Sequence, residues 1–231
     1  MKVDFFENGL CFYCDLAQRE LQEFADFHFR TEKLWRREDE ILQEEIEGIL
    51  EKYPKANQED IVDSYAWDLH LNQYKYPDIH RSTLVISIYI FIEDQLNGLC
   101  ETLATSMSTP LKLTDLSGQG IERACLFLSK VARFDLGGVS GLSFVKEVNR
   151  LRNKMVHAGG ILSADSNDRL NKFVQSTAGL RGEPGRRVHI DQDFITHFIA
   201  ELVRFFDELD IEVQKFMARF GAAGATQPLI R

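Results

Sequence analysis

Three polar residues that could act together lie close in the sequence: Arg152, Asn153 and His157. A guanidinium stays charged at any accessible pH and binds anions such as phosphate. A histidine ring, whose ordinary pKa is about 6.5, can take up or release a proton near neutral pH. Together, residues of these types can hold an anionic group and move a proton beside it.

The segment Leu142–His157 predicts the helix that positions these side chains. At ~100° per residue, one apolar stripe forms, made of Leu142, Val145, Val148, Leu151 and Met155. Arg152 falls near the middle of that stripe, whereas His157 lies about 140° away, on the side of Asn153. An arginine in an apolar face is costly unless it is paired, and Glu93 is the candidate structural partner. Alternatively, the stripe is a dimer seam at which Arg and His of both chains meet.

Charge is unevenly distributed along the 231 residues. The net charge of −9 argues against a general nucleic-acid coat. Residues 130–190, however, hold eleven Lys or Arg and five acids, so this segment carries +6 and the remainder −15. A basic middle suits a local anionic ligand, and four candidate substrate-binding residues lie in it: Arg150, Lys154, Arg186 and Arg187.

Apolar residues at helical spacing predict an all-α fold: a bundle of four to five core helices with a helical N-terminal extension. Helices are expected over 15–53, after a cap at Asn57, and over 80–106, 120–134, 142–157 and from 191 onward. The β-branched run within 80–106 could form a buried strand, but it has no strand-like partner nearby. We expect Asp165–Arg187 to form a short helix and a mobile basic loop. The expected division is extension 1–76, bundle 77–220 and disordered tail 221–231.

Other classes of protein fit the sequence less well. The most apolar stretch, Leu84–Ile92, is far shorter than the ~20 residues of a membrane-spanning helix, so a soluble, cytoplasmic protein without a membrane partner is expected. Cys11 and Cys14 form a CxxC, but no second ligand pair accompanies it, and a small apolar patch is the favoured interpretation. Phosphate-binding glycine loops and HExxH motifs are absent. We therefore expect no cofactor and no metal site.

The motif Arg152-Asn153-Lys154-Met155-Val156-His157 resembles that of the HEPN superfamily (higher eukaryotes and prokaryotes nucleotide-binding). In that family an Arg, commonly followed by a polar residue, precedes a His at a helix end within a small helical bundle. The resemblance is close over Leu151–Gly160 and loose over Pro77–Met217, and the N-terminal extension is outside it. Arg150 also matches the motif, because the six residues between it and His157 are the longest gap that the family allows.

The resemblance implies metal-independent RNA cleavage at a dimer interface. His157 would act as general base on a ribose 2′-hydroxyl, and Arg152 would stabilise the phosphate. Asn153 would orient His157 or a phosphate oxygen. A toxin or defence nuclease is implied, with an antitoxin or nucleotidyltransferase as a possible partner. The alternative is a non-catalytic bundle that binds nucleotides or proteins.

Overall fold

The computed structural model describes residues 4–224, without the side chains of Ala56 and residues 221–224. The predicted tail, 221–231, therefore falls outside the fully described residues. The all-α prediction is confirmed. The helices are α1 Tyr13–Leu50, α2 Gln58–His70, α3 Tyr76–Met107, α4 Gly120–Lys130, α5 Gly141–Ala158, α6 Arg169–Ser176 and α7 Gln192–Gly224. Two short antiparallel strands, β1 Leu180–Arg181 and β2 His189–Ile190, were not predicted. The first lies within the segment 165–187 that was expected to form a short helix and a loop, and the second follows that segment.

The helices continue through Tyr76 and Pro77, where the expected N-terminal extension 1–76 ends. A single π turn, Leu71–Lys75, joins α2 to α3, and the Tyr76 amide donates to the Leu71 carbonyl. Pro77 has no N–H to donate, and its ring would clash with a carbonyl one α-turn earlier. The wider π turn accommodates the proline, and the helical run continues from Gln58 to Met107.

The run Gln58–Met107 is long and apolar enough to cross a membrane by length and composition alone. Half of its most apolar window is buried inside the protein, and a core helix of a soluble protein meets the same criterion. In α3, Val85, Ile88 and Ile92 are fully buried, which confirms the helix that the sequence favoured over a strand. The cytoplasmic location stays a prediction.

The chain divides into two compact units. The first contains the described residues up to Gln22, Ser87–Arg152 and the chain from Phe198 onward. In it, the Tyr13 hydroxyl donates to the Gln95 carbonyl at 2.9 Å, and Gly141 lies so close to Phe205 that an added Cβ would be 2.9 Å from the Phe205 Cβ. Close packing at Gly141 fixes the start of α5.

The second unit contains Glu23–Ile86 and Asn153–His197. It includes α2, α6 and the β1–β2 hairpin. Gly179 has φ +78°, and a Cβ there would lie 2.4 Å from the backbone nitrogen of Phe194. Only glycine fits this approach, which holds the start of the hairpin against the start of α7. The expected division between 76 and 77 stays a prediction.

Candidate functional site at the end of α5

Arg152 lies over an aromatic ring of α3. Its Cζ is 5.3 Å from the centroid of the Tyr89 ring, within the range of a cation–π interaction. Tyr89 is buried and the Arg152 side chain is partly buried. A charged Arg152 in an apolar helix face is costly, and the Tyr89 ring offsets part of that cost.

Glu93 lies one helical turn after Tyr89. Burial, and then the Glu93 carboxylate, raise the pKa of the Tyr89 phenol, while Arg152 acts to lower it. The charges of Glu93 and Arg152 therefore both lie near the Tyr89 hydroxyl. The Glu93 carboxylate also lies against Gly120, the first residue of α4, where a helix terminus favours negative charge. Glu93 as direct partner of Arg152 stays a prediction.

Most of the apolar stripe of α5 is covered within the chain. Leu142, Val145, Val148 and Leu151 are buried, whereas Met155 and Arg152, at the end of the stripe, are partly buried. The four buried residues are not open to a second copy, so only the end of the stripe is accessible to one. A dimer seam around Arg152 stays a prediction.

The end of α5 exposes the other two motif residues. Asn153 and His157 are both exposed, in contrast to Arg152. The helix ends at Ala158, and Gly159 and Gly160 have φ of +59° and +78°, as expected for glycines that terminate a helix. A charged or polar ligand can therefore reach His157 from solvent.

The segment that precedes β2 runs beside this helix end. Ile161 pairs with Arg187 in an isolated β-bridge, and the Leu162 amide donates to the Arg186 carbonyl at 2.9 Å. A Cβ on Gly160 would lie 3.6 Å from Cγ of Arg187. The structure thus places the two loop arginines next to the end of α5, and both side chains are exposed. Arg187 also forms an ion pair of 3.0 Å with Asp78.

The other two candidate substrate-binding residues differ from each other. Arg150 is exposed and its Nε lies 3.4 Å from Glu147 Oε2, whereas Lys154 is partly buried and its carbonyl accepts from the Gly160 amide. Two histidines that flank the start of α7 also differ: His189 is exposed in β2 and His197 is partly buried in α7. The contacts of Arg150 and Lys154 assign neither residue a role in substrate binding, which stays a prediction for both.

A second polar cluster escaped sequence reasoning. His28 Nδ1 lies 3.1 Å from His80 Nε2, and His28 Nε2 lies 3.1 Å from the Gln192 carbonyl. Next to them, Arg81 donates two hydrogen bonds of 2.7 Å to the Glu32 carboxylate. Because the histidines were separated by 52 residues and the sequence showed no ligand spacing, only the packing of α1 on α3 could reveal the pair.

This cluster is best explained as a buried hydrogen-bonded network. The donor atoms of His28, Glu32 and His80 lie within 4.8 Å of one another, close enough to hold a metal ion. However, the Nδ1–Nε2 distance is that of a hydrogen bond, and Arg81 already neutralises Glu32. A dication there would also meet the Arg81 charge. The arrangement favours satisfied buried polar groups over a metal site.

The CxxC does not offer a reactive thiolate at Cys14. Burial, followed by nearby carboxylates, raises the pKa of Cys14 to about 12. A thiol that stays protonated at neutral pH is a poor nucleophile and a poor metal ligand. Both cysteines are free, and Cys14 packs in the core, as the apolar-patch interpretation expected.

No family model, curated protein or solved structure matches this chain.

Proposed function

We propose that this protein is a metal-independent endoribonuclease of the HEPN type that acts as a dimer. The proposal is based on which side chains are exposed at the end of α5. There the motif residues Asn153 and His157 are exposed to solvent, and Arg186 and Arg187 lie beside them on the β2 side. Arg152, on the same helix, is held over the Tyr89 ring.

The proposed reaction uses the ribose next to the cleaved bond. His157 removes the proton of the 2′-hydroxyl, and the resulting oxygen attacks the adjacent phosphorus. The bond from phosphorus to the 5′-oxygen breaks, and that oxygen takes up a proton. Arg152 stabilises the negative charge that develops on the phosphate oxygens. The products are a 2′,3′-cyclic phosphate and a 5′-hydroxyl.

Helix geometry favours a dimer. Residues five positions apart project about 140° from each other, so Arg152 and His157 of one helix face different directions. In a two-fold dimer, His157 of one protomer can approach Arg152 of its partner. Val156 and Ile161, which flank the helix end, are 48% and 52% exposed and could form the apolar part of such an interface.

A ribonuclease of this kind needs control, so we propose a toxin or defence role in the cytoplasm. A cognate antitoxin, or a nucleotidyltransferase that modifies the chain, would silence it. The second candidate function is a non-catalytic HEPN-like bundle that binds nucleotides or proteins. It is favoured by the partial burial of Arg152, because the contact with Tyr89 gives that residue a structural role.

The test is cleavage of total RNA and transfer RNA in EDTA by the parent and by Arg152→Ala and His157→Ala. We expect cleavage by the parent only, with cyclic-phosphate ends, and partial rescue of His157→Ala by added imidazole. Arg204→Ala is the matched control, since Arg204 is an exposed arginine of α7 paired with Glu201.

Each variant is first checked for folding by circular dichroism and thermal unfolding. Absence of cleavage by a folded, dimeric parent over many RNAs would favour the binding function. Equal cleavage by the parent and both motif variants would exclude the motif as the catalytic site.

A further inference from the structure

A cavity of about 290 Å³ opens in the second unit, between the α2–α3 run and the β1–β2 hairpin. One wall comes from the end of α2 and the π turn, with His70, Tyr74 and Lys75. The other comes from the hairpin, with Arg181 and His189. Single π turns within helices occur frequently at functional sites.

A row of exposed aromatic rings runs along the end of α2 and the π turn, and two of its members, His70 and Tyr74, line the cavity. Trp67 and His70 have ring centroids 5.6 Å apart, and His70 and Tyr74 are 5.7 Å apart at an interplanar angle of 27°. Trp67 is 67% exposed and Tyr74 is 64% exposed. Since His70 and Tyr74 stack on each other, the surface left for a nucleic-acid base is the exposed side of Tyr74, and every base has a π-face that can stack there.

The second wall supplies an oriented cation. Arg181 is 72% exposed in its side chain, and its Nε and Nη2 donate to Asp191 at 2.9 and 2.6 Å. A guanidinium has five N–H donors, so three remain after the Asp191 pair is made. Asp191 therefore fixes the orientation of Arg181 and leaves it donors for a phosphate.

The charges of the cavity do not exclude an anion. Its lining has three cationic residues, Lys75, Arg81 and Arg181, and two acidic ones, Asp78 and Asp191. Each acid is already bound by an arginine, Asp78 by Arg187 and Asp191 by Arg181. Lys75 is exposed and forms no hydrogen bond or ion pair with the described residues.

One ion pair links the cavity wall to the chain beside the end of α5. Arg187 pairs with Ile161 just after α5, and its guanidinium reaches Asp78 in the cavity wall at 3.0 Å. Arg186 precedes it in the chain and is exposed. A polyanion that leaves the end of α5 would therefore pass two arginines before it reaches the aromatic wall.

From these features we infer that the cavity binds an unpaired nucleotide of single-stranded RNA. Its base stacks on the exposed side of the Tyr74 ring, which His70 supports from the other side, and its phosphate contacts Arg181 and Lys75. This inference extends the proposed function, on which it rests, by naming single-stranded RNA as the substrate and the cavity as the site that holds its flank. Duplex RNA keeps its bases stacked and paired, and it does not enter.

The test measures binding of fluorescein-labelled oligouridine by anisotropy, in the His157→Ala background so that cleavage does not interfere. Tyr74→Ala is expected to weaken binding about ten-fold, and Tyr74→Phe, which keeps the ring, to bind like the background protein. Arg181→Ala is expected to weaken binding and to reduce its dependence on salt. The matched controls are Tyr53→Ala and Arg204→Ala, which alter an exposed tyrosine and an exposed arginine outside the cavity and should bind normally.

Equal affinities of Tyr74→Ala and Tyr53→Ala, or equal binding of duplex and single-stranded RNA, would overturn the inference. A loss of self-association in Tyr74→Ala with RNA binding unchanged would also overturn it, since the rings would then form a protein interface.

The same variants are also assayed for RNA cleavage, with His157 restored. Cleavage by the parent that is unaffected by Tyr74→Ala would reject the cavity and leave the ribonuclease standing. Cavity-dependent binding without any cleavage would reject the ribonuclease and keep the cavity.

Discussion

The guanidinium of Arg152 lies over the ring of Tyr89, with its Cζ 5.3 Å from the ring centroid. Tyr89 is 1% exposed, so this contact is shielded from water on the ring side. A cation–π interaction is stronger where the charge is partly desolvated. The contact explains how α5 tolerates a charge on the helix face that buries Val145 and Val148, and it fixes the direction of the Arg152 side chain.

We predict that Arg152 and Tyr89 are energetically coupled. In a double-mutant cycle of Arg152→Met and Tyr89→Leu, the coupling in the free energy of unfolding should be about 1 kcal/mol. Urea unfolding followed by circular dichroism measures it. Tyr89→Phe keeps the ring and should retain most of the coupling to Arg152. A coupling near zero with Tyr89→Leu would mean that the ring does not stabilise the charge.

Sequence reasoning located the helix and the unusual position of Arg152, because helical periodicity depends only on residue spacing. It did not find Tyr89, which lies 63 positions away on a helix that looked uniformly apolar. The same limit applies to the pair of His28 and His80. Contacts between distant helices depend on how the helices pack, and a single sequence carries no signal for that.

The β1–β2 hairpin shows a second limit of prediction from a single sequence. Gly182 and Gly185 indicated a loop, and strands of two residues are too short to leave an alternating pattern. For this reason the sequence placed Arg186 and Arg187 in a mobile segment. The bridge between Ile161 and Arg187 instead fixes them beside the end of α5.

We predict that the His28–His80 pair makes the protein less stable in mild acid. Burial lowers the pKa of both rings below the ordinary value of a histidine. Between that ordinary value and the lower folded-state pKa, the unfolded chain binds more protons than the folded chain. The free energy of unfolding should therefore fall as the pH drops below about 6.5.

The variant His80→Gln tests this pH dependence. Its amide can still donate to His28 Nδ1, but it does not titrate. Urea unfolding at several pH values between about 5 and 8 should give a smaller loss of stability in acid than in the parent. Identical pH curves would show that His80 does not contribute to the acid sensitivity.

We predict opposite effects of two Gly→Ala substitutions in helices. Gly141→Ala should destabilise the protein by about 1–3 kcal/mol, because the new Cβ would lie 2.9 Å from Phe205 Cβ and 3.3 Å from the Glu201 carbonyl. Gly48→Ala in α1 meets nothing within 4 Å and should stabilise it by about 0.5 kcal/mol. Denaturant unfolding measures the free energy of unfolding of both variants and of the parent.

The Gly141 variant also bears on activity. Because α5 carries the motif, a shift of its first turn should reduce RNA cleavage even though Gly141 contacts no motif residue. Gly48→Ala should leave cleavage unchanged. If Gly141→Ala is as stable and as active as the parent, the packing of α5 at Phe205 does not position the motif.

We predict that a charge at the end of α5 separates the proposed dimer. Val156→Glu and Ile161→Glu each place a carboxylate on an exposed apolar side chain beside His157, and a desolvated charge at an interface is costly. Sedimentation velocity should then show monomers, and cleavage should fall by about ten-fold or more. Val62→Glu is the matched control, since Val62 is also an exposed valine (40%) but lies on α2.

Monomers that cleave RNA as well as the parent would show that one protomer suffices. The chemistry assigned to Arg152 and His157 would then have to occur within a single chain. A Val156→Glu protein that stays dimeric would place the interface elsewhere on the surface.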